Sequence, residues 1–236
     1  MKQIGLIAVN FVREQRWPIL VLMLWVVGFN VMGLAVDLRA SRDDILGVFK
    51  QLAIYGIAFA IFFGASAIHN ERKTRRILAV LSKGVGRVQY ITGLLAGIAI
   101  ATGIYCFAMG LTGSWILGDA GFSSSHLWFL MLCVMVDCLL AATIAVTFST
   151  FLNPLFATLG TVILAGIPAL AIMRFDWKWG ISIPVGVLLD PLIGASFDSP
   201  GRTPWKLLPL ALAEALGFWL LASWIFKRRD IAVAVD

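Results

Sequence analysis

Two carboxylic acids stand inside long apolar runs, Asp137 and Glu214, and no Lys or Arg lies in the interior of those runs to pair with either. An ionised side chain in hydrocarbon costs at least ~2.5 kcal/mol, so such acids are expected to face a pathway, a partner subunit or each other. Asn30, within the first apolar run, is the third polar candidate. Three roles remain open at this stage: lining of a translocation path, a polar latch at a subunit interface, or a neutral or locally paired structural acid. Met131, Cys133, Met135 and Cys138 crowd the same run as Asp137, and soft sulfur ligands suit copper. However, Met131 and Met135 share a helix face that Cys133 does not, and Met and Cys are ordinary packing residues in apolar helices. The reading is therefore no resident metal. His69 and His126 fall at opposite ends of their runs and cannot form one site within a subunit. The third cysteine, Cys106, also lies in an apolar run, and an odd count with no loop cysteine implies no disulfide framework.

A second kind of chemistry is concentrated between residues 70 and 87, NERKTRRILAVLSKGVGR, which holds six of the nineteen Lys and Arg residues. Ile77, Leu78, Val80 and Leu81 form an apolar stripe at helical spacing. Arg72, Lys73, Arg75 and Arg76 precede it, with Glu71 and Arg75 placed as an i, i+4 pair. Gly84 is placed to end the helix. A segment so charged cannot cross a bilayer. One apolar face and one basic face fit a short helix that docks on a soluble partner; a basic loop that only sets topology is the alternative.

The elements that must position these residues follow from composition. The chain has 236 residues, 60% hydrophobic and 14% charged, with mean hydropathy +0.92. Soluble domains carry about 25% charged residues, so the fold class is all-α, a polytopic membrane protein. The runs are long, rich in Leu and Ala, and not alternating, which excludes a β-barrel reading. Six segments approach the ~20 residues a spanning helix needs, near 17–36, 52–68, 90–112, 127–149, 155–173 and 207–226. Residues 1–16 carry Ile4, Ile7, Ala8 and Phe11 on one helical stripe and are expected to form an interfacial helix. Arg13, Glu14 and Arg16 interrupt any signal-peptide pattern. The segment 176–205, rich in proline yet largely apolar, is expected to dip into the outer leaflet or re-enter. A Gly93-x-x-x-Gly97 pair permits close helix contact.

Orientation follows from charge. Twelve Lys and Arg residues fall on the side of both termini and the 70–87 loop and seven on the other, which also collects seven aspartates. The positive-inside rule places both termini and the loop in the cytoplasm, across a bacterial-type inner membrane. The net charge of +6 has the same origin and is no sign of nucleic-acid binding.

The run HNERKTRRILAVLSKGVGRVQYITGLLAG resembles the loop between the second and third spans of ABC-2 type transporter permeases, with an "ILxxLSxxxxR" helix followed by a span opening on a Tyr/Gly pattern. The ending Trp224-Ile225-Phe226-Lys227-Arg228-Arg229-Asp230-Ile231 is similar to that of many such permeases. Gly84-Val85 departs from the proline that many members carry there. The resemblance implies a non-catalytic membrane subunit that pairs with a second copy or a homologous permease and drives a substrate, usually outward. It also implies a separate cytoplasmic ABC ATPase docking on the loop, where Glu71, Arg72, Arg75, Arg76, Ile77, Leu78 and Leu81 would couple the two. The chain has no GxxxxGK[ST] phosphate loop, so ATP and Mg would act in the partner and no cofactor would bind here directly. A membrane scaffold docking a cytoplasmic protein, or a proton-coupled secondary transporter using Asp137 and Glu214, are the other classes. Internal repeats expected of the latter are not visible.

Overall fold

The computed structural model describes residues 2–35, 42–73, 84–119, 124–175, 205 and 207–228. All regular structure among these is helical: α1 (Lys2–Glu14), α2 (Arg16–Ala35), α3 (Arg42–Lys73), α4 (Arg87–Asp119), α5 (Ser124–Ser149), α6 (Pro154–Phe175) and α7 (Leu207–Arg228). Four stretches are long and apolar enough to cross a membrane: Gly47–Glu71, Arg87–Ser114, Leu127–Ser149 and Leu207–Arg228. These mark the chain as a membrane protein. Helices α2 and α6 cover the first and fifth expected spans, but their described apolar stretches, Arg16–Gly28 and Pro154–Ile167, are shorter. Helix α3 runs for 32 residues, well beyond the expected 52–68, because helical hydrogen bonding tolerates the polar flanks that hydropathy discounts.

Local chemistry sets the boundaries. At the start of α4, the Gln89 side chain reaches back to accept a hydrogen bond from the Gly86 amide (3.2 Å) while Tyr90 donates to the Gly86 carbonyl (3.0 Å). This is half of a capping box. Between α5 and α6, Asn153 caps the new helix by accepting from the Phe156 amide (3.2 Å), and Pro154 occupies the first helical position, where no N–H is needed.

The core lies around α5, which packs on α3, α4, α6 and α7. Contacts define the directions. Gly56 abuts Tyr105 and Gly113 abuts Phe49, so α3 and α4 are antiparallel. At the α3–α5 seam the glycine meets backbone: a Cβ on Gly64 would stand 2.7 Å from the Ala142 carbonyl oxygen and 2.8 Å from the Ala145 Cβ. The Tyr105 hydroxyl crosses from α4 to donate to the Leu52 carbonyl of α3. Apolar side chains left exposed on α2, α6 and α7, such as Leu24, Leu155 and Leu216, form the surface a lipid would cover.

The N-terminal helix packs its stripe on protein: Ala8 and Phe11 are buried while Leu6 and Val9 stay exposed, and a Cβ on Gly93 would stand 2.7 Å from Ile7 and one on Gly97 2.9 Å from Phe11. The Gly-x-x-x-Gly surface of α4 is thus the seat of α1, and the two helices run in the same sense. The helical pattern also continues through the junction, with Gln15 donating to the Phe11 carbonyl (2.9 Å) and Ile19 to the Gln15 carbonyl (3.0 Å). The amphipathic face that reads as membrane-seeking is satisfied by a groove in the chain's own fold, which a stripe of Ile, Ala and Phe cannot distinguish from lipid.

Candidate functional site

At one end of the bundle α3 finishes, α4 begins and α7 finishes, and this end carries both attachments of the basic segment. Gly84 stands in the left-handed region with φ of 77°, a conformation a proline ring fixed near −65° cannot adopt. Glycine here therefore gives the chain an exit into α4 that a proline could not. Three residues on, Arg87 is the first residue of α4, and its Nη1 donates to the carbonyl oxygens of Lys227 (2.8 Å) and Phe226 (3.2 Å). Those carbonyls belong to the last turn of α7, where no intrahelical donor remains for them, and a cation there also meets the negative end of the helix dipole.

One turn further, Tyr90 is buried and stacks on Phe226, with ring centroids 6.0 Å apart and planes 15° from parallel. Glu71, in the last turn of α3, is buried beside the same tyrosine. A further link comes from Trp219 of α7, whose Nε1 donates to the Thr92 hydroxyl (3.1 Å). Beyond the clamp, Arg228 lies over the exposed ring of Trp224 at 4.1 Å, a cation–π contact one helical turn apart.

Glu71, expected among the residues presented to a partner, is buried beside Tyr90 at the end of α3, which continues to Lys73. Arg75, Arg76, Ile77, Leu78 and Leu81 lie outside the described residues, as does the side chain of Arg72. The 176–204 segment lies outside them too; of its flank, Trp205 rests on Phe129 with centroids 4.2 Å apart. Arg87, counted in the sequence only as one of the basic residues, and Tyr90, not singled out there, make the contacts that join α4 to α7. The signal was available in the arginine that ends the ILxxLSxxxxR pattern and in an aromatic residue one turn inside the next helix.

Asp137 sits about 20 Å along α5 and has no exposed surface; both carboxyl oxygens lack a hydrogen-bond partner among the described residues. Its side chain is enclosed by the chain's own helices. Its surroundings are the thiols of Cys106 and Cys133, and Cys106 in turn contacts Cys138. Glu214 on α7 is half-buried, with one carboxyl oxygen enclosed and unpartnered among the described residues. No hydrogen bond joins it to Asp137. The side chain of Asn30 lies outside the described residues. Among those described, no three His, Cys, Asp or Glu side chains are arranged to hold a metal ion. Compared with known proteins, the sequence matches no protein-family model and no curated protein.

Proposed function

We propose that the chain is the permease subunit of an ATP-binding cassette transporter of the ABC-2 type. In this reading six helices, α2 to α7, span a bacterial-type inner membrane with both termini in the cytoplasm. Two permeases, identical or homologous, enclose a path, and a separate ATPase docks on residues 72–86 and powers export. Arg72, Arg75, Arg76, Ile77, Leu78 and Leu81 form the docking face, while Glu71 anchors the segment from within.

The observation that carries this reading is the way the basic amphipathic segment is mounted. Its two ends leave one packed unit, where Glu71 is buried beside Tyr90 and Arg87 is bonded to α7, so a push on the segment would be delivered to helices rather than absorbed by slack. A loop whose only task is to hold charge on one side has no need of such anchorage.

The test is a detergent pull-down of the tagged chain from its native membrane, followed by mass spectrometry and an ATPase assay. A stoichiometric subunit bearing a GxxxxGK[ST] loop, with ATP turnover, supports the reading; recovery of the chain alone or with non-ATPase partners ends it in favour of a scaffold. Leu78→Glu combined with Leu81→Glu should release the ATPase while the permease keeps its elution volume, and survival of the complex on a sizing column would remove the docking assignment.

One observation favours a second reading. Asp137 is an enclosed acid without a partner among the described residues, and intramembrane acids are functional-site candidates by default. In a proton-coupled transporter it would carry the proton. Substrate movement unchanged by Asp137→Asn with Glu214→Gln would eliminate that version.

A further inference from the structure

We propose that Arg87 is the positioning residue through which load on residues 72–86 reaches the C-terminal helix, an inference that rests on the ATP-driven reading above. The argument begins with where the guanidinium points. Arg87 follows the basic segment directly and spends one nitrogen on two carbonyls of another helix 139 and 140 residues away in sequence. Arginine can do this because its guanidinium presents several donors in a fixed plane. The contact does not stand alone. Tyr90 stacks on Phe226, the residue that supplies one of those carbonyls, and Trp219 reaches Thr92 two turns deeper. The first turns of α4 and the last turns of α7 are therefore joined at three levels, and at the far end of the segment Glu71 is buried beside Tyr90.

The receiving helix is suited to move. In α7, 28% of the spanning stretch is buried inside the chain, against 61% in α4 and 78% in α5. A helix with so little of its surface interlocked can slide or tilt at lower cost than the core helices, which would have to repack. Residues 72–86 are thus the input, Arg87 the link and α7 the output. α7 also carries Glu214, the half-enclosed acid of the expected path.

Hydrogen exchange on the full-length chain, purified with whatever ATPase accompanies it, tests both parts. Without nucleotide, Arg87→Gln should speed exchange of the α7 amides at 222–228 by roughly 3- to 10-fold, as a helix end that loses a charged tie frays. Arg87→Lys should recover part of the protection. With Mg-ATP, the wild-type assembly should show a nucleotide-dependent change in those amides that Arg87→Gln lacks although the ATPase still co-purifies. Persistence of that change in Arg87→Gln overturns the proposal, as does wild-type exchange at 222–228 in the nucleotide-free variant. If Arg87→Gln does not fold, Arg87→Lys is read in its place, and a full nucleotide response combined with unprotected 222–228 amides in that variant overturns the link. A wild-type preparation that contains no ATPase removes the transporter reading and this force path with it, and is distinguishable from failure of the link alone.

Discussion

The centre of the bundle and the end where α4 meets α7 are held together by different means. At the centre, helices approach until glycine is the only residue that fits: Gly64 lies on the α5 backbone and Gly56 against the Tyr105 ring. Polar groups there largely bond within their own helix, as Thr102 does to the Ile98 carbonyl (3.0 Å) and Thr143 to Leu140 (2.8 Å). Asp137 bonds to nothing among the described residues. At the loop end the polar side chains instead reach across, from Arg87 to α7 and from Trp219 to Thr92. Shape fixes the centre and directional bonds fix the end. Packed shapes resist displacement in every direction, whereas a few hydrogen bonds can be exchanged, so the end is the region able to respond.

The sharpest way to break this contrast is to overfill the centre. Gly64→Val would drive a side chain into the Ala142 carbonyl and should cost about 1–3 kcal/mol or more, read as a lowered melting temperature in detergent; a neutral result would show that the seam is loose. Tyr105→Phe removes the link to the Leu52 carbonyl and should cost about 1 kcal/mol, a smaller loss because that carbonyl keeps its place in the α3 helix. Thr147→Val deletes the bond to the Phe218 carbonyl of α7 (3.1 Å) and should cost about 0.6 kcal/mol, the average for interhelical bonds within membranes. Asp137→Leu should be the mildest of all, neutral or stabilising, because it exchanges an unpartnered carboxyl for an apolar group of similar size. A marked fall in melting temperature for Asp137→Leu would mean that the acid has a tie, and the contrast would fail at its most informative residue.

Much of the architecture was legible in the sequence because lipid imposes a simple rule: long apolar runs become helices. The helical cores of all seven elements coincide with the expected segments, and the Asn153-Pro154 boundary falls where capping chemistry requires it. The destinations of amphipathic faces were not legible. Ile7, Ala8 and Phe11 make the same stripe whether they meet lipid or the Gly93/Gly97 groove, and only the tertiary fold selects the groove. The inward turn of Glu71 was hidden for a related reason. A helix whose polar end continues one turn past the apolar run rotates a charged residue to an angle that hydropathy cannot give. The tie from Arg87 required knowing that α7 ends beside α4, a contact between residues far apart in sequence.

The seat of α1 also bears on how the chain is made. Phe11 leaves the ribosome before Gly97, which receives it and is synthesised 86 residues later. At ~5–20 residues per second this is a wait of roughly 4–17 s. During that interval the newborn N-terminal segment holds an unclaimed greasy stripe, with a membrane surface or a chaperone as its only hosts. Its burial is then one of the later events of assembly, completed when the third long helix arrives.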